Sequence, residues 1–184
     1  MDADGGNLNQ LTEGQVDSIP RTSPDGRWVL FNSTRTGPLR LWKVSIDGGE
    51  PVPLTDKFTF NPTVSPDGSL VACWYRDDQL STVTKVAIIP FAGGDLVKML
   101  DIPQSINGPA GLRWTQDGRA LTYIDTINGV SNIWSLPLDA SAPKPLTDFK
   151  TDQIFWFDLS RDGKQLALSR GTQTSDVILI RDFK

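Results

Sequence analysis

Two arginines and an aspartate are candidates for chemistry because of where they fall in a repeated pattern. Arg21, Thr63, Arg113 and Asp158 each stand two residues before a turn written Ser-Pro-Asp-Gly or a worn version of it. Equivalent positions of a repeat lie around a common axis, so these side chains are expected near one another. Asp158 should neighbour Arg113 and, in a closed ring of four units, also Arg21. Two readings are open. One is a desolvated ion pair between units, whose rupture would cost ~3–5 kcal/mol. The other is a charged channel mouth that receives an acidic ligand or a peptide end.

Other chemistry is narrowed by what the 184 residues lack. There is no histidine and one cysteine, Cys73. A Ser-His-Asp or Cys-His arrangement cannot be built, nor a zinc site of His and Cys. Cys73 lies in an apolar run and reads as a buried, inert thiol. The 22 acidic residues offer no pair that stands out for glycoside hydrolysis, and most aspartates have turn roles. "DADGG" at Asp2 to Gly6 shares letters with a calcium loop but lacks its remaining ligands. No catalytic residue, cofactor or metal is therefore expected. Six tryptophans, mostly inside strand-like runs, suit packing between sheets better than a carbohydrate platform.

The net charge of −4 comes without any basic stripe, so nucleic acid is not an expected partner. No stretch has the apolar length of a membrane span. The opening "MDADGGNLNQ" is polar and acidic, unlike a signal peptide.

The elements that must position these residues repeat. The turn recurs as "SPDG" at Ser23 and Ser65, "TQDG" at Thr115 and "SRDG" at Ser160. Proline presets φ, aspartate suits the next position, and glycine accepts a positive φ. Gln116 and Arg161 replace the proline later, while Asp-Gly survives. Asp25, Asp67, Asp117 and Asp162 are thus turn residues rather than a metal cluster. A second signature alternates with the turn: "GGNLNQLTE", "GGEPVPLTD", "GGDLVKMLD" and "SAPKPLTD". Both return every ~40–50 residues, the spacing of four-stranded propeller blades.

Each unit decodes into short strands. In the second, "FNPTVS", "SLVACWY", "TVTKVAIIP" and "DLVKML" are strands separated by turns and one loop. The fold class expected is all-β: a β-propeller of four-stranded antiparallel blades, with four repeats in this chain. The units are approximately 5–47, 48–92, 93–140 and 141–184. The chain opens on an outermost-strand signature and ends on "VILIRDF", a third-strand signature. It would close alone with one blade shared between its termini, pair as a homodimer into an eight-bladed ring, or form part of a larger propeller with additional blades.

Alternating strands divide such a molecule into two faces. Tight turns occupy one, and the loops between second and third strands occupy the other. Those loops differ in every unit, which is where a rigid scaffold usually binds. They supply the candidate partner-binding residues Arg35, Arg76, Asp77, Asp78, Asn128 and Arg170, beside Arg21, Arg113 and Asp158 on the inner strands.

The recurrence of "SPDG" and "DGGE…LTD" resembles the TolB-like propeller family and its WD-like repeats, over almost the whole chain. Related repeats occur in the non-catalytic propellers of prolyl oligopeptidase-type peptidases. The tail "SRDGKQLALSRGTQTSDVILIRDFK" is similar to propeller regions behind bacterial Ser/Thr kinase domains, although no Gly-rich phosphate loop, "HRD" or "DFG" is present. The resemblance implies a non-catalytic scaffold that binds a protein or ligand through its loop face, in the periplasm. The alternative it leaves is a sensor or accessory propeller of a larger enzyme. TolB-like propellers carry six blades, against four units here.

Overall fold

The computed structural model describes residues 4–13, 16–78, 80–81, 84–102, 111–160, 162–175, 178 and 180–181. All regular structure in them is β. The first sheet takes β1 (Asp17–Thr22), β2 (Trp28–Ser33), β3 (Arg40–Ser45) and β4 (Val52–Pro53) in chain order. The second takes β5 (Phe58–Val64), β6 (Leu70–Arg76), β7 (Lys85–Pro90) and β8 (Lys98–Leu100). The third takes β9 (Arg113–Trp114), β10 (Ala120–Ile127), β11 (Val130–Pro137) and β12 (Lys144–Pro145). Among the described residues the fourth has only β13 (Gln153–Leu159) and β14 (Leu166–Gly171). Every pairing is antiparallel. Of the strands expected in the second unit, "FNPTVS" and "SLVACWY" fall on β5 and β6, "TVTKVAIIP" is a strand from Lys85 with Thr82 and Val83 outside the described residues, and "DLVKML" is one only at Lys98–Leu100.

The repeated turn is a closed hydrogen-bond circuit. In the first copy Ser23 Oγ donates to Asp25 Oδ1 (2.5 Å) and accepts from Trp28 N (3.0 Å). Arg27 N also donates to Asp25 Oδ1 (3.1 Å), and Gly26 N donates to the Ser23 carbonyl (2.9 Å). Gly26 sits at φ 71°, a conformation that a Cβ would strain. Ser65–Asp67, Thr115–Asp117 and Ser160–Asp162 repeat the hydroxyl–carboxylate contact at 2.5, 2.6 and 2.5 Å. The first-position hydroxyl is therefore as much a part of the motif as the proline. Gln116 occupies the proline's place in the third copy, and Arg161 lies outside the described residues.

Sheets stack face to face. On β6, Val71, Cys73 and Tyr75 meet Leu30, Leu41 and Leu54 of the first sheet. The alternate residues Ala72 and Trp74 meet Leu112, Trp114, Leu121 and Tyr123 of the third. Because side chains alternate across a strand, a sheet buried on both faces needs an unbroken apolar run. "LVACWY" is that run. Between the third and fourth sheets Ile133 packs on Ile154 and Phe157.

The outer face of the first sheet, Phe31, Trp42 and Val44, is packed by Leu11 of the N-terminal segment. The segment carries the outermost-strand signature but forms no strand, so it does not complete the fourth sheet. The described part of "VILIRDF" (Ile178, Ile180 and Arg181) is not in a strand, and the rest lies outside the described residues. Among the described residues no hydrophobic cluster joins the fourth sheet to the first, and the ring is not closed by packing. Phe155 and Trp156 of the fourth sheet are exposed. Sheets and repeat units are out of phase. The junctions 47/48, 92/93 and 140/141 fall in the turns from Ser45, Pro90 and Pro137, which join third and fourth strands of one sheet.

Candidate functional site

β1 touches β5, and β5 touches β9, so the first strands of successive sheets lie side by side on the axis. Their ends run into the repeated turns, which stack in the same order. A Cβ on Gly118 would lie 3.9 Å from Pro66, and one on Gly163 would lie 3.3 Å from Gln116. The axial opening at this end is ringed by tight turns, not by the variable loops.

Arg113 and Asp158 meet at this opening. Arg113 Nε donates to Asp158 Oδ1 at 3.1 Å. Its other nitrogens donate to the Leu112 carbonyl (3.0 Å) and the Phe157 carbonyl (3.4 Å), and its guanidinium lies 5.3 Å from the Trp156 ring centre. Arg113 is thus mostly enclosed, while the Asp158 side chain is 63% exposed. Among the described residues Arg21 donates to the carbonyl of its neighbour Pro20 (3.1 Å). Burial, then the Arg113 charge, push its pKa below the usual arginine value, and Asp158 partly offsets them. The third and fourth sheets therefore deliver a guanidinium and a carboxylate to one place. Beside them is a cavity of about 210 Å³ lined by Thr63, Trp114, Gln116, Asp158 and Ser160, among others.

Arg21 follows an irregularity in its own strand. β1 carries a bulge between Ser18 and Arg21, and β5 carries one at the matching place, between Phe60 and Thr63. Ile19-Pro20 and Asn61-Pro62 occupy the bulges, with φ of 53° and 54° at Ile19 and Asn61. Asparagine enters the left-handed region readily, whereas a β-branched residue there is an outlier.

The loop-end candidates do not converge. Arg35 forms an ion pair with Asp17 (2.7 Å) and stacks on Phe31 and Trp42 at 5.1 and 4.9 Å. Arg76 donates to Thr84 Oγ1 (3.0 Å) and stacks on Phe60. Asp77 accepts from the Tyr75 hydroxyl (3.1 Å), and Asp78 accepts from the Leu80 and Ser81 amides (2.8 and 2.7 Å). Asn128, at φ 51°, turns the β10–β11 hairpin with Gly129. Arg170 pairs with Asp152 (3.3 Å), donates to the Thr151 carbonyl (2.7 Å) and stacks on Phe149. Each of these six is engaged within its own sheet or the segment leading into it.

Sequence reasoning missed several cross-sheet contacts, among them one from a tryptophan and one from a lysine. Trp114 Nε1 donates to the Thr63 carbonyl (3.0 Å), fastening two inner strands. Lys43 Nζ donates to the Phe91 carbonyl (2.7 Å) between the Trp28 and Phe91 rings. The Ile19 bulge did leave a signal: "SIPRTSPDG" and "FNPTVSPDG" align without a gap.

No family model matches the chain. A curated relative, an uncharacterized protein of Agrobacterium fabrum, is 32% identical over 135 residues, 67% of this chain and 45% of that protein. The chain thus spans less than half the length of that relative. A solved structure described as a TolB from Agrobacterium tumefaciens is similar with TM-score 0.59 and 25% identity, over 83% of this chain and 53% of that one. TolB from Acinetobacter baumannii is similar with TM-score 0.60 and 22% identity, over 78% of this chain and 38% of its own. The acylaminoacyl peptidase of Pyrococcus horikoshii shares the fold at TM-score 0.57 and 15% identity, over 86% of this chain and 29% of its own. No helix among the described residues is long and apolar enough to cross a membrane. Successive antiparallel sheets about one axis, together with these likenesses, make this chain an all-β propeller of the TolB-like fold.

Proposed function

We propose that this propeller is a non-catalytic scaffold that receives a protein partner at its axial opening, on the face of the tight turns. The observation that carries the reading is the Arg113–Asp158 pair at the wall of a cavity between the inner strands and tight turns of the second, third and fourth sheets. The loop face expected from the sequence offers side chains already committed to their own sheets. The lack of histidine removes the commonest acid–base and nucleophile-activating group. An extracytoplasmic location goes with the TolB-like resemblance.

The test is selection of binders from a random peptide library on the intact chain, followed by mapping. Binding should be lost on Gln116→Trp or Ser160→Trp, which crowd the axial cavity, and kept on Asp77→Lys and Asp78→Lys. The opposite pattern would move the partner to the loop face. A second reading, an accessory propeller of a larger enzyme, is favoured by the likeness to the acylaminoacyl peptidase. It is tested by whether the full-length gene product carries a peptidase or kinase domain.

A further inference from the structure

One join of the repeat occurs twice, once closed and once open. In the second sheet, the turn after β7 docks on the segment that leaves β4. Gly94 N donates to the Leu54 carbonyl (3.0 Å), and a Cβ on Gly93 would lie 3.2 Å from that oxygen. The alternating signatures place Leu11 where Leu54 stands and Gly49 where Gly94 stands. Leu11 packs on Phe31, Trp42 and Val44 of the first sheet as Leu54 packs on the second. Yet among the described residues the Gly94 bond has no counterpart between Gly49 and Leu11. A Cβ on Gly48 or Gly49 would meet nothing within 4 Å. In place of the contact is a cavity of about 550 Å³, in the size range of ligand sites.

The walls of this cavity carry backbone and charge. Gln10, Leu11 and Glu13 line it from the N-terminal segment, and Gly49 and Glu50 line it from the β3–β4 turn. Arg35 also lines it, but its charge is paired with Asp17 (2.7 Å) and it stacks on Phe31 and Trp42. Glu13 and Glu50 have no ion pair among the described residues. The uncompensated charge of the cavity is therefore negative. It shares no lining residue with the axial cavity.

We infer that this lateral groove takes an extended peptide segment bearing a basic side chain. A peptide unit has one donor and one acceptor, as the open join requires. Its carbonyl accepts from Gly49 N, and its N–H donates to the Leu11 carbonyl. The basic side chain lies between Glu13 and Glu50 in charge-assisted contact. Backbone bonds supply affinity and the two carboxylates supply selectivity, as in other extended-peptide sites.

The test uses three probes with the intact chain, read by calorimetry. They are acetyl-Thr-Lys-Thr-Lys-Thr amide, the same peptide with its backbone N-methylated, and acetyl-Thr-Glu-Thr-Glu-Thr amide. The lysine peptide should bind saturably and less tightly as salt rises. The N-methylated peptide should bind at least fivefold more weakly, and the glutamate peptide should not bind. Glu50→Gln should weaken the lysine peptide about tenfold, the size of one charge-assisted bond. Asp95→Asn, at the equivalent place of the closed join, should leave its affinity unchanged. Gln10→Trp, which crowds the groove, should abolish binding. Urea melts of Glu50→Gln and Asp95→Asn should match the parent, both side chains being exposed. No binding of the lysine peptide, equal binding of the glutamate or N-methylated peptide, or equal losses in Glu50→Gln and Asp95→Asn overturns the groove.

Discussion

Arg113 of the third sheet and Asp158 of the fourth form an ion pair whose members are unequally buried. Nε and Oδ1 are 3.1 Å apart, with the arginine side chain 13% exposed and the aspartate 63%. This asymmetry sets how each half responds to removal. Asp158→Asn loses a solvent-screened attraction of about 0–1 kcal/mol. Arg113→Ala also loses the Leu112 and Phe157 carbonyl contacts and the face of Trp156, about 2–3 kcal/mol. Denaturant melts of the two variants should differ in that order. Equal losses would mean that the pair, not the arginine's wider contacts, joins the sheets.

Ile19 pays for a left-handed backbone that asparagine adopts freely at Asn61. Ile19→Asn should stabilise the chain by about 1 kcal/mol, because a Cβ-branched side chain is strained there. Ile19 is 36% exposed, so the apolar contact forfeited offsets part of the gain. A lower melting temperature would show that Ile19 packs more than its exposure implies.

The turn carboxylates link stability to acid. Hydrogen bonds from Ser65, then from the Ser69 amide and hydroxyl, lower Asp67 to about 2, from an ordinary 3.8. Asp25, Asp117 and Asp162 are lowered by the same kind of bonds, from Ser23, Thr115 and Ser160 first. A depressed folded pKa means that the unfolded chain takes up protons first as pH falls. This stabilisation is whole above about pH 4 and drains away toward pH 2. The melting temperature should fall through that window. Asp67→Asn should start lower at neutral pH and decline less steeply.

Lys43 bridges the first and second sheets from a nearly closed position, 8% exposed. Burial lowers its pKa, and its ammonium is held by the Phe91 carbonyl and two rings. Lys43→Met keeps the stem but strands that carbonyl, so a loss of about 1–3 kcal/mol is expected in urea melts. No loss would mean that water replaces the ammonium.

Cys73 is 0% exposed between the first two sheets, and burial pushes its thiol pKa up. A thiol reagent should leave the native chain unmodified and label one cysteine only after denaturation. Rapid native labelling would show that the interface opens.

What the sequence by itself determined is local. The turns are legible because their hydrogen bonds close within five residues, from Ser23 to Trp28 and from Ser65 to Leu70. The stacked sheets are legible in runs such as "LVACWY", where both faces must be apolar. The Arg113–Asp158 contact could be foreseen because a repeat maps equal positions onto one axis. Only the tertiary structure decided that Arg35, Arg76 and Arg170 spend their charge on nearby acids, hydroxyls and rings. It alone fastens Trp114 to Thr63 and Lys43 to Phe91, contacts 51 and 48 residues apart. It also left the outer-strand signature at Leu11 outside any strand, packed on Phe31 and Trp42. The physical reason is range. A turn is selected by neighbours along the chain, whereas the partner of a long side chain is selected by whichever sheet the fold brings within its reach.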